Sequence, residues 1–166
     1  MAQKDVGNKV PIYKLKKTDE VMKYYDEWGE ENKYDKDMVD WNYTGPKETT
    51  EVFIRYNKYK EAKIYDAGCG TGLVGVELKK YGYKNFFGAD LSQKLLDLVP
   101  KNLYQKLDKV DLNKTINEGI HEEYGFEKKI DQLNNDNKWK EIEFFKSDYI
   151  ASKDVNAWLG LYEVIK

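Results

Sequence analysis

Cysteine and histidine are nearly missing from this chain, with one of each, Cys69 and His121. A single cysteine excludes an internal disulfide framework, and one cysteine with one histidine rules against a Cys/His metal centre, so no metal is expected. The lone thiol, and the absence of a signal-peptide apolar core from "MAQKDVGNKV", lead to the expectation of a cytoplasmic protein. No apolar run approaches the ~20 residues that cross a bilayer, so no membrane partner is expected. An excess of one charge is lacking too: 28 Lys and Arg stand against 30 Asp and Glu, for a net −2. With a pI near 5.6 there is no basic footprint for nucleic acid, which is not expected as a partner. Internal repeats and low-complexity segments are absent.

What is present suits one folded domain. The 166 residues are enough for one core. Charged residues make up 35% of the chain with signs interspersed, which reads as a solvated surface. Fourteen tyrosines and four tryptophans supply apolar area where aliphatics are modest. Residues 1–17 are basic and irregular and read as a loose arm. "TDEVMKYYDEW" predicts a helix from Thr18, capped by Thr18, with Asp19 and Glu20 in its first turn and Val21, Tyr25 and Trp28 on one face. Pro46 suits the first turn of a second helix carrying Val52, Tyr56 and Tyr59. Val74, Leu78 and Tyr81 mark a third, closed by Gly82. "NFFGAD" (85–90) predicts a strand, and Ser92 opens a helix through Leu95, Leu96 and Val99 that Pro100 disturbs. "YQKLDKVDL" supplies a short strand, Phe126, Ile130 and Leu133 a helix, and "KEIEFFKSDYI" and "WLGLYEVIK" two closing strands. This alternation is that of a doubly wound α/β sheet.

"KIYDAGCGTG", from Lys63 to Gly72, holds the chemistry. A strand runs into a loop with Gly68, Gly70 and Gly72, and the next helix turns its free N–H groups into the same space. Glycines let the backbone turn sharply and let a ligand press against it, although purely structural tight loops use them too. A nicotinamide or flavin fingerprint wants G-x-G-x-x-G, which places its third glycine at position 73, occupied by Leu73. A phosphate loop ends Gly-Lys-Ser/Thr, also missing here. The pattern present is D-x-G-x-G-x-G, from Asp66 to Gly72.

That pattern resembles the first motif of class I S-adenosylmethionine-dependent methyltransferases. The resemblance implies that Asp66 sits near the amino-acid end of the cofactor and that Gly68, Cys69, Gly70 and Gly72 admit its methionine and ribose. A ligand with an ammonium, a sulfonium and no phosphate suits a carboxylate better than a clamping lysine. Asp90, followed by Leu91 at the end of the second strand, matches the acid that meets the ribose hydroxyls. Capping the helix near Ser92 is its alternative role. Asp111 matches the acid that meets the adenine amino group, with Asp108 nearby as a competitor. The stretch 24–46 is similar to the N-terminal helix and loop of the Williams–Beuren-region methyltransferase-like proteins, through Tyr25, Asp26, Trp28, Tyr34, Asp35, Tyr43 and Pro46. The family often has Ala where this chain has Gly29. The resemblance makes 18–60 a lid, 61–114 a cofactor-binding half and 115–166 a helix and strand pair. It places Tyr34 and Tyr43 beside the sulfonium, where aromatic faces favour a cation. Filling the core is the alternative for both rings, and the first reading for Trp28 and Trp41.

After Lys114 the match breaks. "TINEGIHEEYGFEKKIDQLNNDNKWKEIE" resembles the segment after the fifth strand of the family, so a fourth strand, its helix and most of a fifth are absent, about 50 to 70 residues for such units. The resemblance puts the methyl acceptor beside that fourth strand. The expected fold is therefore a shortened Rossmann-like sheet with its cofactor half retained and its acceptor side incomplete. Its first strand should find a new neighbour, either the closing strand pair or a second copy of the chain. His121, Glu122 and Glu123 read as a solvated loop. Three functions stay open: a small-molecule methyltransferase, a non-catalytic S-adenosylmethionine-binding remnant of one, and, remotely, an NAD-dependent oxidoreductase.

Overall fold

A computed structural model of the chain describes residues 10–111, 135–153 and 155–164. Three helices come first: α1 (Thr18–Trp28), α2 (Lys33–Asp40) and α3 (Gly45–Tyr56). Thr18 does not cap α1. Lys17 holds the extended cap conformation instead, and its side chain makes no capping hydrogen bond. The chain reverses between α1 and α2 through Glu31 and Asn32, both at positive φ. Pro46 lies in the first turn of α3 as its lack of an N–H allows. The stripe predicted from Val52, Tyr56 and Tyr59 is only partly buried. Val52 is inside, but α3 ends at Tyr56, so Tyr56 and Tyr59 are exposed and Phe53 and Ile54 pack inward instead.

Strands and helices then alternate: β1 (Lys63–Ala67), α4 (Leu73–Lys80), β2 (Asn85–Asp90), α5 (Gln93–Leu98) and β3 (Lys106–Lys109). The sheet is parallel, in the order β1-β2-β3. The result is an α/β arrangement consistent with a Rossmann-like methyltransferase fold. Both crossovers step the same way across the sheet, and right-handed crossovers then place α4 and α5 on one face. There Leu78, Tyr83, Phe86 and Leu103 form a core with Phe53, Ile64 and Val99. Tyr83 is 1% exposed, and its hydroxyl donates to the Asn57 carbonyl. On the other face Tyr65 is 59% exposed, with Lys63 and Ala67 also exposed, so β1 is not buried on both sides.

Two expectations give way here. The closing strands, β4 (Trp139–Ile150) and β5 (Val155–Val164), do not move in beside β1; they form a separate antiparallel pair. Their long mutual ladder satisfies their inner edges, and they pack on α3, where Arg55 pairs with Glu143 at 3.1 Å and the Tyr56 hydroxyl donates to Glu143 at 2.9 Å. The outer edge of β1 has no strand partner among the described residues. A register shift between Glu141 and Glu143 also breaks the alternation predicted for Ile142 and Phe144, leaving Phe144 exposed.

The second correction concerns the arm. Residues 11–14 form a 3-10 turn, and Val10 and Ile12 are buried with Trp28, Met38 and Ile150. Apolar side chains this close to an aromatic cluster gain more by burial than a solvated arm would. Residues 1–9, the helix predicted around Phe126, the His121–Glu123 cluster and the break after Lys114 lie outside the described residues.

Ser92 joins the helical layer to the sheet. Its Oγ accepts from the Leu95 N–H at 3.3 Å and donates to Asp26 on α1 at 2.8 Å. Ser92→Ala removes the cap of α5 and leaves Asp26 without that donor. It is expected to lower the unfolding free energy by about 1–3 kcal/mol, read from urea denaturation.

Candidate functional site

The loop between β1 and α4 is tied down from its first residue. The N–H groups of Gly68 and Cys69 both donate to the Ala89 carbonyl, at 2.7 and 3.0 Å. Gly68, Gly70 and Gly72 have φ of 78°, 52° and 85°. A side chain in that left-handed region costs roughly 1–2 kcal/mol, which explains the three glycines. Asp90 completes the anchoring. Its Oδ2 accepts from Gly70 N–H at 2.9 Å and its Oδ1 from Ser92 N–H at 2.8 Å. A carboxylate has about four lone-pair sites, so Asp90 keeps two for a further donor.

A cavity of about 320 Å³ opens at the carboxyl ends of the strands, where ligands bind in open α/β sheets. Gly68, Asp90, Leu91, Val110 and Asp111 form one wall. Thr18, Val21, Met22 and Tyr25, spaced as one face of α1, form the other, with Lys16 at the edge. Burial pushes the Tyr25 hydroxyl up to about 12, with Tyr149 and Asp90 adding to the effect, so it stays a proton donor at neutral pH.

The structure thus brings four of the sequence-predicted site residues to one cavity: Gly68, Asp90, Leu91 and Asp111. The others lie elsewhere. Asp66 sits beneath the loop and accepts the Tyr104 hydroxyl at 2.6 Å. Burial raises its pKa, the Tyr104 hydrogen bond opposes that, and the charge of Asp90 adds to it. Cys69 is buried against Gly88, and burial, then Asp66 and Asp90, push its thiol up to about 12. Gly70 sits beside Leu95, and Gly72 backs onto the Tyr104 ring. Tyr34 and Tyr43 belong to an aromatic cluster around Trp28, where Trp28 and Tyr34 meet edge to face at 5.0 Å and the Tyr43 hydroxyl donates to that of Tyr149. A void of about 30 Å³ in that cluster shares Tyr25 with the larger cavity. Trp28 is a core residue whose Nε1 donates to Asp37 at 2.7 Å, and Trp41 carries the Lys153 ammonium 3.9 Å from its ring centre.

Six wall residues escape the sequence reading as lining groups: Lys16, Val110 and, from α1, Thr18, Val21, Met22 and Tyr25. The spacing 18-21-22-25 contained the signal for the four on α1, but it reads equally as a core stripe. The loop is also tied to the N-terminal helices, where Thr71 Oγ1 donates to Asp35 on α2 at 2.6 Å, and Lys94 on α5 pairs with Glu30, between α1 and α2, at 2.9 Å.

The donor set suits the cofactor implied by the glycine motif. Asp90 and Asp111 offer acceptors to hydroxyl and amino groups and negative charge to a cation. Gly68 leaves a cradle that a Cβ would fill, with nothing within 4 Å of that position. Among curated proteins, ribosomal protein L11 methyltransferase of Lachnospira eligens is 37% identical over 73 residues, which is 42% of this chain and 23% of that protein. Human methyltransferase-like protein 27 is 32% identical over 87 residues, 51% of this chain and 35% of that protein. Over these stretches the chain is similar to methyltransferases. It spans about a quarter to a third of the length of these two relatives. No family model and no solved structure matches it.

Two glycine substitutions separate ligand space from packing. Gly68→Ala is expected to lose about 1–2 kcal/mol of stability from its φ and to weaken ligand binding, because its methyl enters the cavity. Gly75→Ala should destabilise the fold although alanine favours helix by about 1 kcal/mol, since its Cβ would lie 2.5 Å from the Tyr104 hydroxyl. Thermal denaturation and ligand titration of both variants check the contrast.

Proposed function

We propose that this chain binds S-adenosylmethionine and belongs to the class I methyltransferases that act on small molecules. The observation that carries the reading is one cavity wall made of the loop glycine Gly68 and the strand-end acids Asp90 and Asp111. The similarity to two named methyltransferases supports it. When bound, the cofactor supplies a methyl group on a sulfonium, an activated leaving group that needs little acid–base assistance. The work left to this chain is binding and orientation. Asp90, with two acceptor positions free, takes the ribose hydroxyls. Asp111 meets the adenine amino group. The face of α1 through Val21, Met22 and Tyr25 closes over the ligand and excludes water. Tyr34 and Tyr43 flank the reacting end across the small aromatic void. The remaining strands of a doubly wound sheet, and the acceptor wall they bring, are reduced in this chain.

That reduction favours a second reading, a non-catalytic S-adenosylmethionine-binding protein of the same descent. The oxidoreductase reading loses ground, because position 73 is the leucine that opens α4 rather than a glycine.

Calorimetric titration with S-adenosylmethionine, S-adenosylhomocysteine and NAD tests the cofactor. Heat with either of the first two and none with NAD is expected. Asp90→Ala should weaken binding by about 1.5–3 kcal/mol, the value of a hydrogen bond to a charged group. No heat with either adenosyl ligand overturns the proposal. Conversion to S-adenosylhomocysteine in the presence of small acceptors separates the enzyme from the binding protein.

A further inference from the structure

Tyr104, between α5 and β3, occupies a slot that three residues without side chains provide. A Cβ at Gly72 would lie 3.1 Å from its ring, one at Gly75 2.5 Å from its hydroxyl, and one at Gly88 3.0 Å from its Cδ1. These glycines come from the loop, the first turn of α4 and the middle of β2. The hydroxyl lies against the start of α4, at the position a Cβ of Gly75 would need. It donates its own proton to Asp66 Oδ2 at 2.6 Å. A phenylalanine would fill the slot equally well, so packing alone does not account for a tyrosine.

We propose that Tyr104 is a positioning residue for the cofactor site: its ring backs the glycine loop and the start of α4, and its hydroxyl holds the Asp66 carboxylate in place beneath that loop. The tie runs from the slot at Gly72 and Gly75 through the Tyr104 hydroxyl to Asp66, beneath the backbone that a cationic ligand would meet. The proposal rests on the S-adenosylmethionine reading for its ligand but not for its geometry. Asp66 faces three titratable neighbours: Tyr104 from the segment after α5, Asp90 from the end of β2 and Cys69 from the loop. Burial and Asp90 favour its protonated form, whereas the Tyr104 hydrogen bond favours the carboxylate. Removing that donor therefore moves protonation of Asp66 to higher pH.

The test uses the full chain and Tyr104→Phe, with S-adenosylmethionine affinity measured from pH 5.5 to 8 and the Asp66 carboxyl titrated by carbon NMR without ligand. The variant is expected to bind roughly tenfold or more weakly, with its affinity lost at higher pH than in the parent and the Asp66 titration moved the same way. In an Asp66→Asn background, Tyr104→Phe should cost far less, since the two residues act as a pair. An unchanged Asp66 titration and an unchanged pH profile of binding would overturn the proposal. If the parent binds no S-adenosylmethionine, the functional reading fails, while the NMR titration still decides the Tyr104 pairing. If Tyr104→Phe does not fold, Asp66→Asn supplies the same test from the other side. The Tyr104 hydroxyl, held up chiefly by burial and further by Asp66, should then titrate lower than in the parent. A titration that does not move overturns the pairing.

Discussion

The carboxylate of Asp90 is the point on which the site depends. It accepts the N–H groups of Gly70 and Ser92, and so fixes a loop that would otherwise sample the wide backbone freedom of three glycines. The same interaction sets the end of β2 against the start of α5. Ser92 then passes the constraint outward through its hydroxyl to Asp26 on α1. One acid thus sets the loop, the helix that follows its strand and, at one remove, the helix that walls the cavity. An ion that accepts from backbone N–H groups makes stronger bonds than a neutral acceptor, which suits it to this task.

The helical layer is held to the sheet by hydroxyl–carboxylate bonds at two loops, Thr71 to Asp35 and Ser92 to Asp26. Both hydroxyl-bearing residues are buried. Bonds of this kind in a low-dielectric setting gain strength and demand a particular geometry, so α1 and α2 sit over the strand ends in one arrangement. The aromatic cluster around Trp28 gives that layer a core of its own. The hairpin of β4 and β5 reaches it through Tyr149 and Ile150, so these strands support the helices above the cavity rather than extending the parallel sheet.

The glycines divide into two kinds that look the same in sequence. Gly68 and Gly70 leave room on the open side of the loop, whereas Gly72, Gly75 and Gly88 leave room for Tyr104 behind it. A motif written as alternating glycines merges ligand space with packing space, and only the neighbours tell them apart.

Much was legible from the chain alone, for reasons of local physics. The span of α1, the strand at Asn85–Asp90 and the Ser92 cap stem from periodicity, strand-forming residues and a hydroxyl in the right place, all of which act within a few residues. The positive φ of the loop stems from glycine spacing. Asp90 and Asp111 were legible as strand-end acids, and the structure places both on the cavity. Tertiary structure decided the rest. Whether Tyr34, Tyr43 and Asp66 face a cavity or a neighbouring side chain depends on contacts tens of residues away, such as Tyr43 with Tyr149 and Asp66 with Tyr104. Val10 and Ile12 read as part of a loose arm until Trp28, Met38 and Ile150 surround them. The β4–β5 pair carries a strand pattern that says nothing of its partner, because the same alternation suits a sheet edge or a separate ladder. Sequence sets what each segment prefers to be, whereas burial and long-range hydrogen bonds, which no short window contains, set what each segment meets.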